Sequence, residues 1–193
     1  MYLDEHLTWK HHINFVCKKI AKSVGILSRT HFYLSCKTKF MLYYTLIYPY
    51  ITCCNSTWSS TYVCNLNRIY SLQKQAVRAV TNSEYQAQTA PLFTKLKILD
   101  IFPINTLAIA KFMFCYYNNL LPPLFLNLFM TNSQVHKYDT RTAGNYRVHP
   151  CRTNIKKFTI LYQGPKVWNC LPASITNLSS FPMFKNKVLE FLL

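Results

Sequence analysis

Apolar residues recur at steps of three and four through the first 80 positions of the chain, and among regular structures the α-helix is the one that gathers such residues on one face. Ile13, Val16, Ile20, Val24 and Leu27 form one stripe, with Thr8 placed as its N-cap. Ser35 opens a second helix in which Lys39, Tyr43, Leu46, Ile47 and Tyr50 share a face. Pro49 bends that helix, because its ring collides with the carbonyl of Thr45. A third helix, from about Tyr62 to Val80, buries Leu66, Ile69, Leu72, Ala76, Val77 and Val80 and turns Asn67, Ser71, Lys74 and Arg78 to the opposite side. Residues 1–82 are therefore expected to form a helical domain.

The remaining stretch, 83–193, has a different texture. A polar link from Thr81 to Thr89 leads to helices over Pro91–Leu99 and Ile104–Asn118, the second apolar on nearly all sides and so internal. Asn118-Asn119 and Pro122-Pro123 end it. Residues 131–154 are too rich in Thr, Asn, Arg and Tyr for a helix and read as a long polar loop. Phe158, Ile160 and Tyr162 then alternate with Lys157, Thr159 and Leu161, the pattern of a short strand or hairpin arm. Gly164-Pro165 marks a turn before a short helix carrying Trp168, and Ser180 caps a last helix with Phe181, Phe184, Val188 and Leu192 on one face. The fold class expected is mainly α: a helical bundle, then a small helical unit with a short strand.

Charge bears on partners. Net charge is +16, against the roughly 2 to 8 that keeps a small domain soluble. A polyanion is the matching partner. The cations are spread along the chain, 10 in residues 1–80 and 12 beyond, and not gathered beside an apolar span, so nucleic acid is favoured over membrane. Lys18, Lys22 and Arg29 fall on one flank of the first helix. Lys74 and Arg78 share the polar strip of the third with Asn67 and Ser71, a strip that either lies on a phosphate backbone or is solvated surface. Arg141, Arg147, Arg152, Lys156 and Lys157 are the further candidates. Tyr43, Tyr44, Tyr48 and Tyr50 offer faces for base stacking, although a helical aromatic stripe more often packs a core. Trp168 poses the same choice, and core is favoured.

Other chemistries find little purchase. Among the eight cysteines and six histidines, only Cys53-Cys54 and His149-x-Cys151 approach the spacing of zinc ligands, so reduced thiols packing as small hydrophobes are expected. His11-His12 reads as an exposed helix start. The longest apolar run, Phe40–Cys54, falls short of the ~20 residues that span a bilayer, and the first ten residues form no signal-peptide core. An intracellular chain, nuclear or cytoplasmic, is the expectation.

Several blocks share one further property. Tyr162–Pro172 reads YQGPKVWNCLP; Asp4, Leu7, Trp9, His12 and Ile13 fit an Asp-x-x-Leu-x-Trp-x-x-His-Ile pattern; Leu46–Tyr50, Trp58, Leu72–Arg78, Leu96–Leu99 and Tyr138–Arg141 follow in order. In this succession the chain resembles the C-terminal part, thumb and beyond, of reverse transcriptases from non-LTR (LINE-type, jockey-like) retrotransposons. The resemblance implies a thumb-like helical domain in 1–82, a C-terminal helical region in 83–193, and a grip on RNA, DNA or an RNA/DNA heteroduplex. It implies as well that palm and fingers of the parent polymerase are partners. Magnesium would belong to that palm. This chain has six carboxylates, Asp4, Glu5, Glu84, Asp100, Asp139 and Glu190, and no Tyr/Phe-x-Asp-Asp motif, so no catalytic residue, metal or cofactor is assigned to it. A degenerate or domesticated remnant, acting as a non-enzymatic interaction module or without function, is the alternative, and docking on anionic lipid a third.

Overall fold

The computed structural model describes residues 1–30, 32–135 and 141–193. It is mainly α-helical and divides into two compact units, Met1–Ile104 and Asn105–Leu192. The first thus extends past the expected division at residue 82 and takes in the link and the helix after it.

In the first unit, α1 (Lys10–Arg29) buries Ile13, Val16, Ile20, Val24 and Leu27, the stripe read from the sequence. Its cap is not Thr8. Asp4 accepts hydrogen bonds from the Thr8 and Trp9 amides at 2.8 and 2.9 Å and from the Thr8 hydroxyl at 2.7 Å, while Trp9 takes a left-handed backbone conformation. These bonds hold the Asp4 carboxyl below its ordinary range. Ser35 does cap α2 (Cys36–Leu46), accepting from the Thr38 amide. Pro49 does not merely bend α2: the helix stops, and α3 (Tyr48–Thr52) begins with the proline in its first turn, where no amide partner is required. A short α4 (Asn55–Trp58) carries Trp58, fully buried, whose indole N–H donates to the Cys53 carbonyl at 2.8 Å.

The long helix α5 (Val63–Thr81) buries Leu66, Ile69, Ala76, Val77 and Val80 as expected, with one exchange. Leu72 is half-exposed, and Gln73 occupies the core with no solvent exposure. Its amide nitrogen donates to the Tyr43 hydroxyl at 2.8 Å and to the Leu99 carbonyl at 2.9 Å, which offsets the burial of its two N–H groups. Thr61 and Asn65 reach the Thr8 carbonyl, and Arg68 reaches Asn14. Early residues of α5 meet early residues of α1, so the two run side by side in the same direction. Past Asn82, whose left-handed conformation ends α5, come α6 (Ala90–Leu96) and α7 (Ile101–Tyr117), the latter started by Asp100 accepting from the Phe102 amide at 2.9 Å.

The second unit continues with α8 (Asn132–Val135), α9 (Asn154–Lys157), α10 (Ile160–Asn169), α11 (Ala173–Thr176) and α12 (Phe181–Leu192), and packs Met113 of α7 against α10 and Phe114 against α12. Phe114 and Phe184 rings lie 4.5 Å apart, and Trp168 stacks on Phe184 at 5.9 Å, so Trp168 is core. The expected strand at 158–162 is corrected to the junction of α9 and α10. Among the described residues the β-structure is one isolated bridge, Thr131 to Tyr146, which leaves such a strand no sheet to join. The Gly164-Pro165 turn is corrected too, since both residues lie inside α10. A residue before proline is usually driven out of the helical region by contact between its Cβ and the ring; Gly164 has no Cβ. In the polar loop, the Asn169 side chain pins Tyr146 through bonds to its amide and carbonyl at 3.1 and 2.7 Å. Tyr138, Asp139 and Thr140 lie outside the described residues. Among the described residues no single helix is long and apolar enough to cross a membrane.

Candidate nucleic-acid interface

Two parallel helices leave a shallow seam wherever the facing side chains are small or reach outward. On α1 that line is Asn14, Lys18, Ala21, Gly25 and Ser28; on α5 it is Arg68, Leu72, Gln75, Ala79 and Asn82, each set stepping four and three. Two recesses open in tandem along it. One of about 460 Å³ is lined by Asn14, Cys17, Lys18, Ala21, Arg68 and Leu72. Another, of about 290 Å³, lies between the last turns of both helices and includes Ser28, Gln75 and Arg78. Gly25 lies on the line between them, where a Cβ would meet nothing within 4 Å.

The cations around this seam are uncompensated. Between Glu5 and Glu84 the sequence holds no carboxylate side chain, and Asp4 is occupied at the start of α1. Lys18, Lys22 and Arg29 are exposed on α1, Lys18 and Lys22 being about 6 Å apart along the axis at 1.5 Å per residue. Arg68 is exposed and steadied by its bond to Asn14. It also favours the Cys17 thiolate, but burial outweighs that and pushes the thiol up.

The structure separates the two cations expected to share a strip on α5. Lys74 is half-buried with its ammonium 4.6 Å over the Tyr70 ring, on the flank away from the seam. Arg78 lines the smaller recess and donates through Nε to the Ala87 carbonyl at 2.9 Å, which ties down the link and aims the rest of the guanidinium. Of the sequence candidates, Lys18 and Arg78 line the seam, Lys22 and Arg29 flank it, and Lys74 stands aside.

Arg141, Arg147, Arg152, Lys156 and Lys157 all belong to the second unit. Arg141, Arg152 and Lys156 are exposed; Arg147 and Lys157 are half-buried. Lys156 lines a recess of about 220 Å³ with His149, Cys151 and Tyr162, beside the α9 start that Thr153 caps. In the same unit burial, aided by Lys185, holds the Lys111 ammonium below the ordinary lysine range.

The aromatic candidates resolve by burial. Tyr43 has no exposure and its hydroxyl is pushed up chiefly by desolvation; Tyr44 and Tyr48 are half-buried against each other at 5.0 Å. Only Tyr50 of the four is exposed. The cysteines diverge from expectation: Cys17 is buried, but Cys36, Cys53, Cys54, Cys64 and Cys170 are exposed free thiols. His12 is buried against Trp58 at 5.4 Å, which corrects its reading as exposed; His11 is exposed.

Arg68, Gln75 and Tyr85 escaped the sequence reading. The signal for Arg68 and Gln75 was the four-three step of Arg68, Leu72, Gln75, Ala79 and Asn82, a second line beside the buried one; Tyr85, in the link, had none. The blocks behind the resemblance, by contrast, contain many core residues, including Trp9, Ile13, Trp58, Gln73, Leu99, Gly164 and Trp168. No protein-family model, curated protein or solved structure matches the chain.

Proposed function

We propose that this chain is the thumb and adjoining C-terminal region of a non-LTR-type reverse transcriptase, holding RNA or an RNA/DNA heteroduplex by its backbone without reading sequence. The observation that carries this reading is the α1–α5 seam, where Lys18, Arg68 and Arg78 line tandem recesses, Lys22 flanks them, and neither helix bears a carboxylate. Contacts of this kind position a protein on phosphates and sugars, and short partners such as Asn14 and Ser28 add hydrogen bonds. The ordered sequence blocks support the family; the charge supports the partner. Polymerisation is assigned to the palm of such an enzyme, where two metal ions would stabilise the attacking and leaving oxygens.

Equilibrium binding of a labelled heteroduplex tests the reading. Replacing Lys18, Lys22 and Arg68 together by glutamine is expected to weaken binding about a hundredfold at 0.15 M salt, three phosphate contacts being lost. Replacing Arg141, Arg152 and Lys156 instead should cost less. Parent-like affinity in the first variant would overturn the assignment of the seam.

A further inference from the structure

The smaller recess of the seam carries more than cation. Tyr85, from the link after α5, lines it with a ring that is 81 % exposed and, among the described residues, engages no other ring or hydrogen bond. Gln75 presents an amide that makes no side-chain bond among the described residues, and so offers a donor and an acceptor at once. Among the described residues Arg78, which lines the recess, is held through Nε alone, and its terminal amino groups are left unbonded.

Beneath lies an unusual floor. Lys39 of α2 has no solvent exposure, yet among the described residues its ammonium faces no carboxylate: it donates to the Ala79 carbonyl at 3.1 Å and to the Asn82 side-chain oxygen. Ala79 and Asn82 both line the recess, so a buried positive charge stands one residue behind its wall. Such a charge is costly unless it is bonded, and its field favours an anion on the open side.

A flat ring, a bifunctional amide and a guanidinium over a buried cation match the three parts of one nucleotide: base face, base edge and phosphate. A carboxylate-bearing peptide would answer the cations but leave ring and amide unused. About 290 Å³ lies just below the about 300–1,000 Å³ of small-molecule sites, space for one nucleotide and not for a stacked run. We infer that this recess is a pocket for a single unpaired nucleotide, the first beyond a duplex lying along the seam, with Tyr85 stacked on its base, Gln75 at its edge and Arg78 on its phosphate. The inference rests on the nucleic-acid reading above and adds to it a place where duplex gives way to single strand.

The test uses the whole chain and two heteroduplexes of equal paired length, one blunt and one with an overhang, placed on each strand in turn, whose first unpaired base is 2-aminopurine. The parent chain should bind one overhang form more tightly than the blunt form and quench its fluorescence. Tyr85→Ala, a change at an exposed side chain, should lower affinity for that overhang form about five- to a hundredfold, the worth of one base stacked on an aromatic ring, and abolish the quench. Binding of the blunt form should stay at the parent's level, and Tyr85→Phe should retain both affinity and quench. Equal binding of blunt and overhang forms by the parent, or a Tyr85→Ala chain that still prefers and quenches the overhang, overturns the pocket and leaves the duplex grip standing. Failure of the parent to bind either form overturns both.

Discussion

Gly164 shows how one missing side chain can decide a local structure. A Cβ there would stand 2.7 Å from the Met113 sulfur and 3.2 Å from the Phe129 ring, both buried, and would crowd Pro165 besides. Alanine ordinarily favours a helix over glycine by about 1 kcal/mol. Here overpacking, typically ~1–3 kcal/mol, offsets or outweighs that, and Gly164→Ala should destabilise the chain by up to ~2 kcal/mol net in chemical unfolding. His12 makes a second single-residue case. Burial, and then the terminal ammonium, hold its pKa below 6.5, and its Nδ1 is buried without a hydrogen-bond partner. The folded state therefore keeps His12 neutral while the unfolded state protonates it near its ordinary value. Stability from this residue is complete above about pH 6.5 and falls as pH drops through the window beneath. The melting temperature should decline between pH 7.5 and 5.5, and His12→Phe should remove most of that decline.

At the scale of elements, the C-terminus of α5 is finished from outside. Lys39 bonds the Ala79 carbonyl in the last turn, so its charge also meets the negative end of the helix dipole. Lys39→Met keeps the stem and removes the ammonium, taking from that part-buried carbonyl the bond Lys39 gives it. A loss of ~1–3 kcal/mol is expected, together with earlier hydrogen exchange at the end of α5 than at its centre. The sequence made some of this legible and hid the rest for definite reasons. The stripe of α1 and the cap of α2 are local signals, and both were readable. Periodicity alone did not separate Leu72 from Gln73, because the choice turned on Tyr43 and Leu99, which lie 30 and 26 residues away. Five alternating residues at 158–162 fit strand or helix equally, and the absence of a pairing strand decided between them. The cations on α1 could be seen in sequence; that Arg68 would join them and Lys74 turn to Tyr70 depended on how α1 and α5 lie together.

For the whole molecule, the governing quantity is charge that finds no internal answer. Among the described residues one ion pair occurs, Lys187 with Glu190 at 2.8 Å, and both side chains are exposed. A chain of net charge +16 therefore presents most of its cations to whatever polyanion it meets. Whether the α1–α5 seam is where that happens is answered most directly by the salt dependence of heteroduplex binding. If Lys18, Lys22 and Arg68 each neutralise a duplex phosphate, log affinity should fall against log salt with a slope steeper than about −2.7, the part these three supply at about 0.9 each. Replacing Lys18, Lys22 and Arg68 with glutamine should flatten it by about 2.7, with helix content unchanged. A variant whose slope equals the parent's would contradict the account, and would place the phosphates on some other face of the molecule.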